Sequence, residues 1–173
     1  MKSKAKYIVV FAILLCSGVS SQAQSVDYKA QVLFMYNFMK YTNWPTPVGD
    51  FRIIVYGNSP ISAELKKLAL VKKTPNGKSI VVTEVMDAKS ITDCEMLYIP
   101  DAKSKDLEQI INTIKDKPVL IITQRDGLAK KGACINFFIQ DDDRLGFTIS
   151  IKNLEARKLK IGSELTILAE VVN

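Results

Sequence analysis

Residues Pro118 to Thr123 read Pro-Val-Leu-Ile-Ile-Thr, an apolar run with no polar alternation. A strand with one wet face alternates apolar and polar side chains. An uninterrupted run belongs to a strand covered on both faces, which is the signature of a mostly parallel sheet with helices on either side. The rest of the chain has to supply those layers. Strands are expected at Phe51 to Gly57, Ser79 to Val85 and Glu95 to Ile99. Two helices alternate with them: Pro60 to Val71, with Ile61, Leu65, Leu68 and Ala69 on one stripe, and Ser104 to Lys115, with Leu107, Ile110, Ile111 and Ile114 on another.

Ahead of these, Tyr28 to Tyr41 carries Val32, Leu33, Met35, Tyr36, Phe38 and Met39, which together cover more than one helical face. This helix should be largely buried, with Lys29 and Lys40 left to water. It stops at Asn43-Trp44-Pro45, because proline disfavours helical geometry in the residue before it. Behind the apolar run, Arg125-Asp126-Gly127 leads into a short helical turn ending at Gly132. Cys134 to Gln140 and Leu145 to Ile151 then bracket Asp141-Asp142-Asp143-Arg144 as a hairpin with a polar tip. Asn153 is expected to cap a short helix through Leu159, and Ser163 a closing one containing Leu165, Ile167, Leu168 and Val171. The expected fold is one α/β domain, with about six mostly parallel strands, a C-terminal hairpin and about five flanking helices.

The first residues have a separate role. Lys2, Lys4 and Lys6 precede an apolar stretch from Tyr7 to Leu15, followed by small and polar residues to Gln24. That is the layout of a secretory signal peptide, and the stretch falls short of the roughly 20 apolar residues that span a membrane. Ser21-Gln22-Ala23 sets the cleavage after Ala23, giving a signal peptide at 1–23 and a domain at 24–173. A lipid anchor on Cys16 fits less well, since Leu15 occupies the place of a small residue. Removing 1–23 lowers the formal charge from +6 to +3, with no clustered basic face for nucleic acid.

Composition narrows the chemistry. With no histidine in the chain, Ser-His-Asp and Cys-His nucleophiles and His-ligated metals are excluded. Beyond residue 23 the cysteines are Cys94 and Cys134, without a CxxC pair. No catalytic group, metal site or cofactor motif is assembled, so the chain reads as non-enzymatic.

Four stretches, in this order and spacing, resemble the YfiR/HmsC-like family. They are Lys29-Ala30 through Leu33, Tyr36-Asn37-Phe38, Lys40-Tyr41 and Trp44-Pro45; Ile53-Ile54-Val55-Tyr56-Gly57; Cys94-Glu95-Met96-Leu97-Tyr98-Ile99; and Val119 to Ala169, with Gly127-Leu128-Ala129, Gly132 to Phe137, Arg144 to Ile149 and Ser163-Glu164-Leu165. The resemblance implies a periplasmic regulator, often a homodimer, that binds the outward-facing part of a membrane-bound diguanylate cyclase or histidine kinase. Through it the regulator would control cyclic-di-GMP signalling and biofilm behaviour. It also implies redox-sensitive thiols. Here the pattern departs: Phe51 to Gly57 has no cysteine, Glu95 stands where histidine is frequent, and Ser150 replaces an asparagine. The alternative function is a small-molecule sensing module, using a cleft at the carboxyl ends of the strands near Gly57 and Arg125.

The residues expected to contact a partner or ligand are Tyr36, Asn37, Tyr41, Trp44, Arg125 and Arg144. Each has a plainer reading. Trp44 with Tyr41 forms a recognition surface or caps the core beneath its loop; Asn37 contacts a ligand or anchors that loop; Arg125 and Arg144 bind or are solvated charges. A Cys94–Cys134 disulfide would close a loop of about 40 residues, worth roughly 4 kcal/mol. If Val119 to Thr123 lies between the strands carrying them, however, the two backbones stand roughly 9.6 Å apart, beyond the roughly 7 Å a disulfide spans. Phe137 and Phe138 must point to opposite faces of their strand.

Overall fold

In a computed structural model, residues 26–45 and 49–172 are described. The expected signal peptide lies outside them. The chain runs α1 (Tyr28–Tyr41), β1 (Thr42–Asn43), β2 (Phe51–Tyr56), α2 (Ile61–Val71), β3 (Ile80–Val85), β4 (Met96–Ile99), α3 (Leu107–Ile114) and β5 (Leu120–Thr123). It continues through β6 (Ile135–Ile139), β7 (Leu145–Ser150), α4 (Ile151–Ala156), β8 (Lys160–Ile161), α5 (Ser163–Thr166) and β9 (Glu170–Val172). Short 3-10 turns occupy Ala88–Ser90, Asp101–Asp106 and Leu128–Lys131.

The main sheet has seven strands in the order β3-β2-β4-β5-β6-β7-β9. Strands β3 to β6 of this row are parallel to their neighbours, β7 is antiparallel to β6, and β9 is parallel to β7. The apolar run is indeed in the middle: Leu120, Ile121 and Ile122 are all inaccessible to solvent. On β4, the adjacent Leu97 and Tyr98 are also inaccessible although they point to opposite faces, so both faces are covered there. The Tyr98 hydroxyl reaches the α1 side, donating to Gln31 Oε1 at 2.8 Å. Helix α1 is capped by the Asp27 carboxylate, which accepts from Ala30 N at 2.9 Å. Its Phe34 and Phe38 meet Phe137 and Phe147 of the hairpin, with ring centroids 5.0 to 6.3 Å apart, within the range of favourable aromatic pairs.

Several sequence expectations are corrected. Leu33 is 62% exposed, and the polar Gln31 takes the buried place instead, since its amide finds Tyr98 as partner. The short helix after the hairpin begins at Ile151 and is capped by Ser150, whose hydroxyl accepts from Asn153 N at 3.3 Å. Asn153 turns inward and donates to the carbonyls of Ala129 and Ala133, both at 2.7 Å. The closing helix ends at Thr166, after which the chain extends and β9 adds a seventh strand beside β7. Ile167 and Leu168, expected on a buried helical face, are therefore exposed. A β-branched pair such as Val171-Val172 is better suited to a strand than to a helix end.

These positions predict opposite outcomes for two similar substitutions. Ile121→Ala should cost about 2 to 5 kcal/mol by opening a cavity between two packed layers. Ile167→Ser should change stability by no more than about 0.5 kcal/mol, as for other surface positions. Urea unfolding of both variants measures the difference.

Candidate functional site

The residues expected at the exit of α1 do not form one exposed surface. Trp44 is buried at 8% exposure, with its ring edge-on to Phe51 at 5.1 Å. Its Nε1 donates to the carbonyl oxygen of Glu95 at 3.1 Å. The tryptophan thus caps the core beneath its loop and is not presented to a partner. Tyr36 is half-buried and its hydroxyl donates to the Lys73 carbonyl at 3.1 Å, tying α1 to the segment just after α2. Tyr41 is half-buried under Lys40, whose Nζ lies 4.9 Å from the ring centre. Asn37 is half-buried and its side chain makes no hydrogen bond among the described residues, which exclude 46–48 of the loop. Arg144 is exposed at the hairpin tip, where its Nε donates to Asp142 Oδ2 at 2.6 Å.

Beneath Trp44, Glu95 resolves one departure from the expected pattern. It is buried, and its carboxylate accepts from the Arg52 backbone N–H at 2.7 Å and from Arg52 Nη2 at 3.3 Å. The acid is therefore satisfied by the neighbouring strand β2 and needs no outside ligand. Cys94 precedes it and Cys134 precedes β6, and both are free and buried. Strand β5 runs between their strands. Burial pushes the Cys94 thiol up to about 12 and the Cys134 thiol up to about 11. A thiol held protonated is a poor nucleophile and a small apolar residue in effect.

Arg125 has a different setting. Strands β3 and β4 flank β2 on opposite sides, so the direction of winding reverses there, and in open α/β sheets the crevice beside such a reversal holds ligands. The next gap along is spanned by Arg125 at the end of β5, whose Nε donates to Asp101 Oδ1 at the end of β4 at 2.5 Å. Behind Arg125, the turn is fixed from below. Asn136, fully buried on β6, donates from Nδ2 to Asp126 Oδ1 at 3.1 Å and accepts from Ala129 N at 2.9 Å. Gly127 adopts φ +76°, a left-handed geometry open to glycine without strain. Together these hold open a cavity of about 510 Å³ walled by the start of α3 and the turn after β5.

Arg125 is legible in the sequence, whereas Ser104, Lys105 and Lys131, which share that cavity, are not. Their only signal is position: all three sit in the short 3-10 turns that follow β4 and β5. Nor does the sequence mark Leu33, Ile167, Leu168 and Val171 as exposed, though they stand at 62, 81, 67 and 48% exposure. Helix α5 contacts α1, which brings the segment carrying Ile167 and Leu168 to the α1 side of the sheet.

A family model described as YfiR/HmsC-like matches residues 28–170, nearly all of the described structure. The chain belongs to the YfiR/HmsC-like family. This is a family of regulators rather than of enzymes, and the residues matched include all of the main sheet except the last two of β9. No curated protein sequence matches the chain. Among solved structures, the ABC domain from Streptococcus pneumonia, determined in complex with L-Trp, is similar with a TM-score of 0.55 and 11% identity. The match covers 84% of this chain and 60% of that one, and at such identity it speaks for the α/β fold alone. Among the described residues of this YfiR/HmsC-like chain, no helix is long and apolar enough to cross a membrane.

Two measurements follow from the site. Trp44→Phe keeps the ring packing but loses the bond to Glu95, and should destabilise the fold by about 1 kcal/mol in urea unfolding. The thiols set a pH dependence. Their folded pKa values lie above the ordinary value of 9.0, so the folded state holds more protons and stability is lost as pH rises from about 9 towards 11 to 12. A Cys94→Ala/Cys134→Ala protein should show a shallower loss over that window when unfolding is followed at each pH.

Proposed function

We propose that this protein is a non-enzymatic periplasmic regulator that binds the outward-facing part of a membrane-bound diguanylate cyclase or histidine kinase and represses it. The observation carrying the proposal is the family match over 28–170, on a chain that begins with the sequence pattern of a cleavable export signal. The exposed apolar residues Leu33, Ile167, Leu168 and Val171 support it. Large apolar side chains exposed at a surface are a usual component of protein interfaces, and a second copy of the chain would compete for any that meet the partner. Repression requires that the regulator bind the inactive form of its partner more tightly than the active one, since equal affinity shifts nothing.

In the source organism, loss of this protein should raise cyclic-di-GMP, and the wild-type gene should restore the level. A Leu33→Asp/Leu168→Asp variant should melt like the wild type, fail to restore the level, and fail to retain a cyclase or kinase with an outward-facing domain on co-purification from membranes. An unchanged cyclic-di-GMP level together with no such partner retained would overturn the proposal. Mass spectrometry of the exported protein should find Gln24 as its first residue.

A further inference from the structure

The end of helix α2 presents apolar and basic side chains together. Leu70 and Val71, adjacent in the chain, are 86 and 78% exposed, while Ile61 and Leu65 on the inner stripe of the same helix are buried. Lys66 and Lys67 stand one turn before the pair and Lys72 and Lys73 directly after it, all four exposed. The fold puts them at a corner. Helix α2 crosses between the parallel strands β2 and β3, so its carboxyl end lies at the amino ends of the strands, and β3 is the outermost strand of the sheet. The backbone there is tied without using the exposed side chains. Lys72 N donates to the Leu68 carbonyl at 2.9 Å, the Tyr36 hydroxyl donates to the Lys73 carbonyl, and Lys78 N donates to Thr74 Oγ1 at 3.0 Å. Leu70 and Val71 thus stand outward on a preorganised frame, which lowers the ordering cost of binding.

The charge at this corner is positive after its ion pairs are counted. Glu84 pairs with Lys66 and Glu64 with Lys67, both at 2.7 Å, and Asp50 precedes Phe51, whose N–H donates to the Ser79 carbonyl. The five lysines between residues 66 and 78 against these three carboxylates leave a surplus of two. Lys72 and Lys73 have no ion pair among the described residues, so the surplus lies beside the apolar pair itself. The other adjacent exposed apolar pair, Ile167 and Leu168, has the opposite setting. It is flanked by Glu164 and Glu170, and no lysine or arginine follows Lys160.

We propose that this corner docks on an anionic phospholipid surface, with Leu70 and Val71 entering the headgroup boundary and the surrounding lysines meeting lipid phosphates. Two projecting apolar side chains ringed by lysine suit a bilayer better than a protein. Lysine is depleted in protein interfaces, which bury about 800 Å² per partner around a dry centre. At a membrane, lysine stems lie along apolar surface while their ammonium groups stay in water and among the headgroups. Each lysine near an anionic leaflet adds to the attraction, and two apolar side chains with a basic patch give reversible rather than permanent attachment. Docking would hold the domain where a membrane-embedded partner is found, and it is independent of whether the protein represses that partner.

The test is co-sedimentation of residues 24–173 with vesicles of phosphatidylethanolamine and phosphatidylglycerol in equal parts, and with vesicles of phosphatidylcholine alone. At about 0.1 M salt the anionic vesicles should bind about tenfold more tightly, and at about 0.5 M that preference should shrink. Leu70→Ser/Val71→Ser and Lys72→Gln/Lys73→Gln should each weaken binding to the anionic vesicles about tenfold. Both should melt like the wild type, as surface variants do, which separates loss of the docking corner from loss of the fold. Ile167→Ser/Leu168→Ser should bind the vesicles like the wild type. The proposal is overturned if the two vesicle types bind alike, if Leu70→Ser/Val71→Ser binds like the wild type, or if Ile167→Ser/Leu168→Ser loses as much. A Leu70→Ser/Val71→Ser protein that keeps vesicle binding but no longer retains a cyclase or kinase in detergent would assign the corner to a protein and overturn it too. Retention of that partner by the wild type in detergent, where no bilayer is present, is scored separately, so the vesicle result and the regulator reading can fail independently.

Discussion

The burial of β4 and β5 on both faces is the constraint from which the rest of the structure follows. A strand with no wet face needs a helical layer on each side, and parallel strands need crossovers long enough to provide those layers. Helix α1 and helix α2 pack together, while α3 contacts the Ala88–Ser90 turn. With the middle of the sheet closed to water and partners, function is confined to its rims. The carboxyl ends of the strands carry the charged cavity, and the α1 side near α5 carries exposed apolar residues.

Polar groups inside this core are few and specific. Gln31 with Tyr98 and Glu95 with Arg52 join elements far apart in sequence, and Asn136 with Asp126 ties the turn after β5 to β6. A hydrogen bond of this kind adds only about 1 kcal/mol net, but an orphaned partner costs more, so each pair discriminates against misregistered packing. Asn136 and Asn153 hold the Leu128–Lys131 turn from two directions, through Ala129 N and Ala129 O.

Much of the fold is legible in the sequence, because apolar periodicity reports burial directly. The strands from Phe51, Ser79, Glu95 and Pro118 and the helices from Pro60 and Ser104 lie where their patterns place them, within a few residues. The order of the strands carrying Cys94 and Cys134, with Val119 to Thr123 between them, is also as expected. What failed were positions where a pattern fits two structures. Leu165, Ile167, Leu168 and Val171 match a helical stripe, yet the chain leaves the helix at Thr166 to pair β9 with β7. Pairing with a distant strand is a tertiary choice that local periodicity does not encode. The site was less legible for the same reason. Trp44 looks like an interface anchor until Glu95, 51 positions away, is seen to accept its N–H. Lys105 and Lys131 look like ordinary surface charge until the fold brings them to one cavity.

The aromatic cluster that seats α1 has a temporal side. Phe34 and Phe38 belong to the first helix, whereas Phe137 and Phe147 belong to the hairpin, roughly a hundred residues later, and contacts of such long separation form slowly. A chain emerging from its amino end through a narrow passage would bring out α1 long before the surface that receives it. The helix would stand with its aromatic side uncovered until the hairpin followed, so this part of the core closes only when the chain is nearly complete. Late closure also makes the newly made first helix the segment with most apolar surface open to wrong contacts until the hairpin follows.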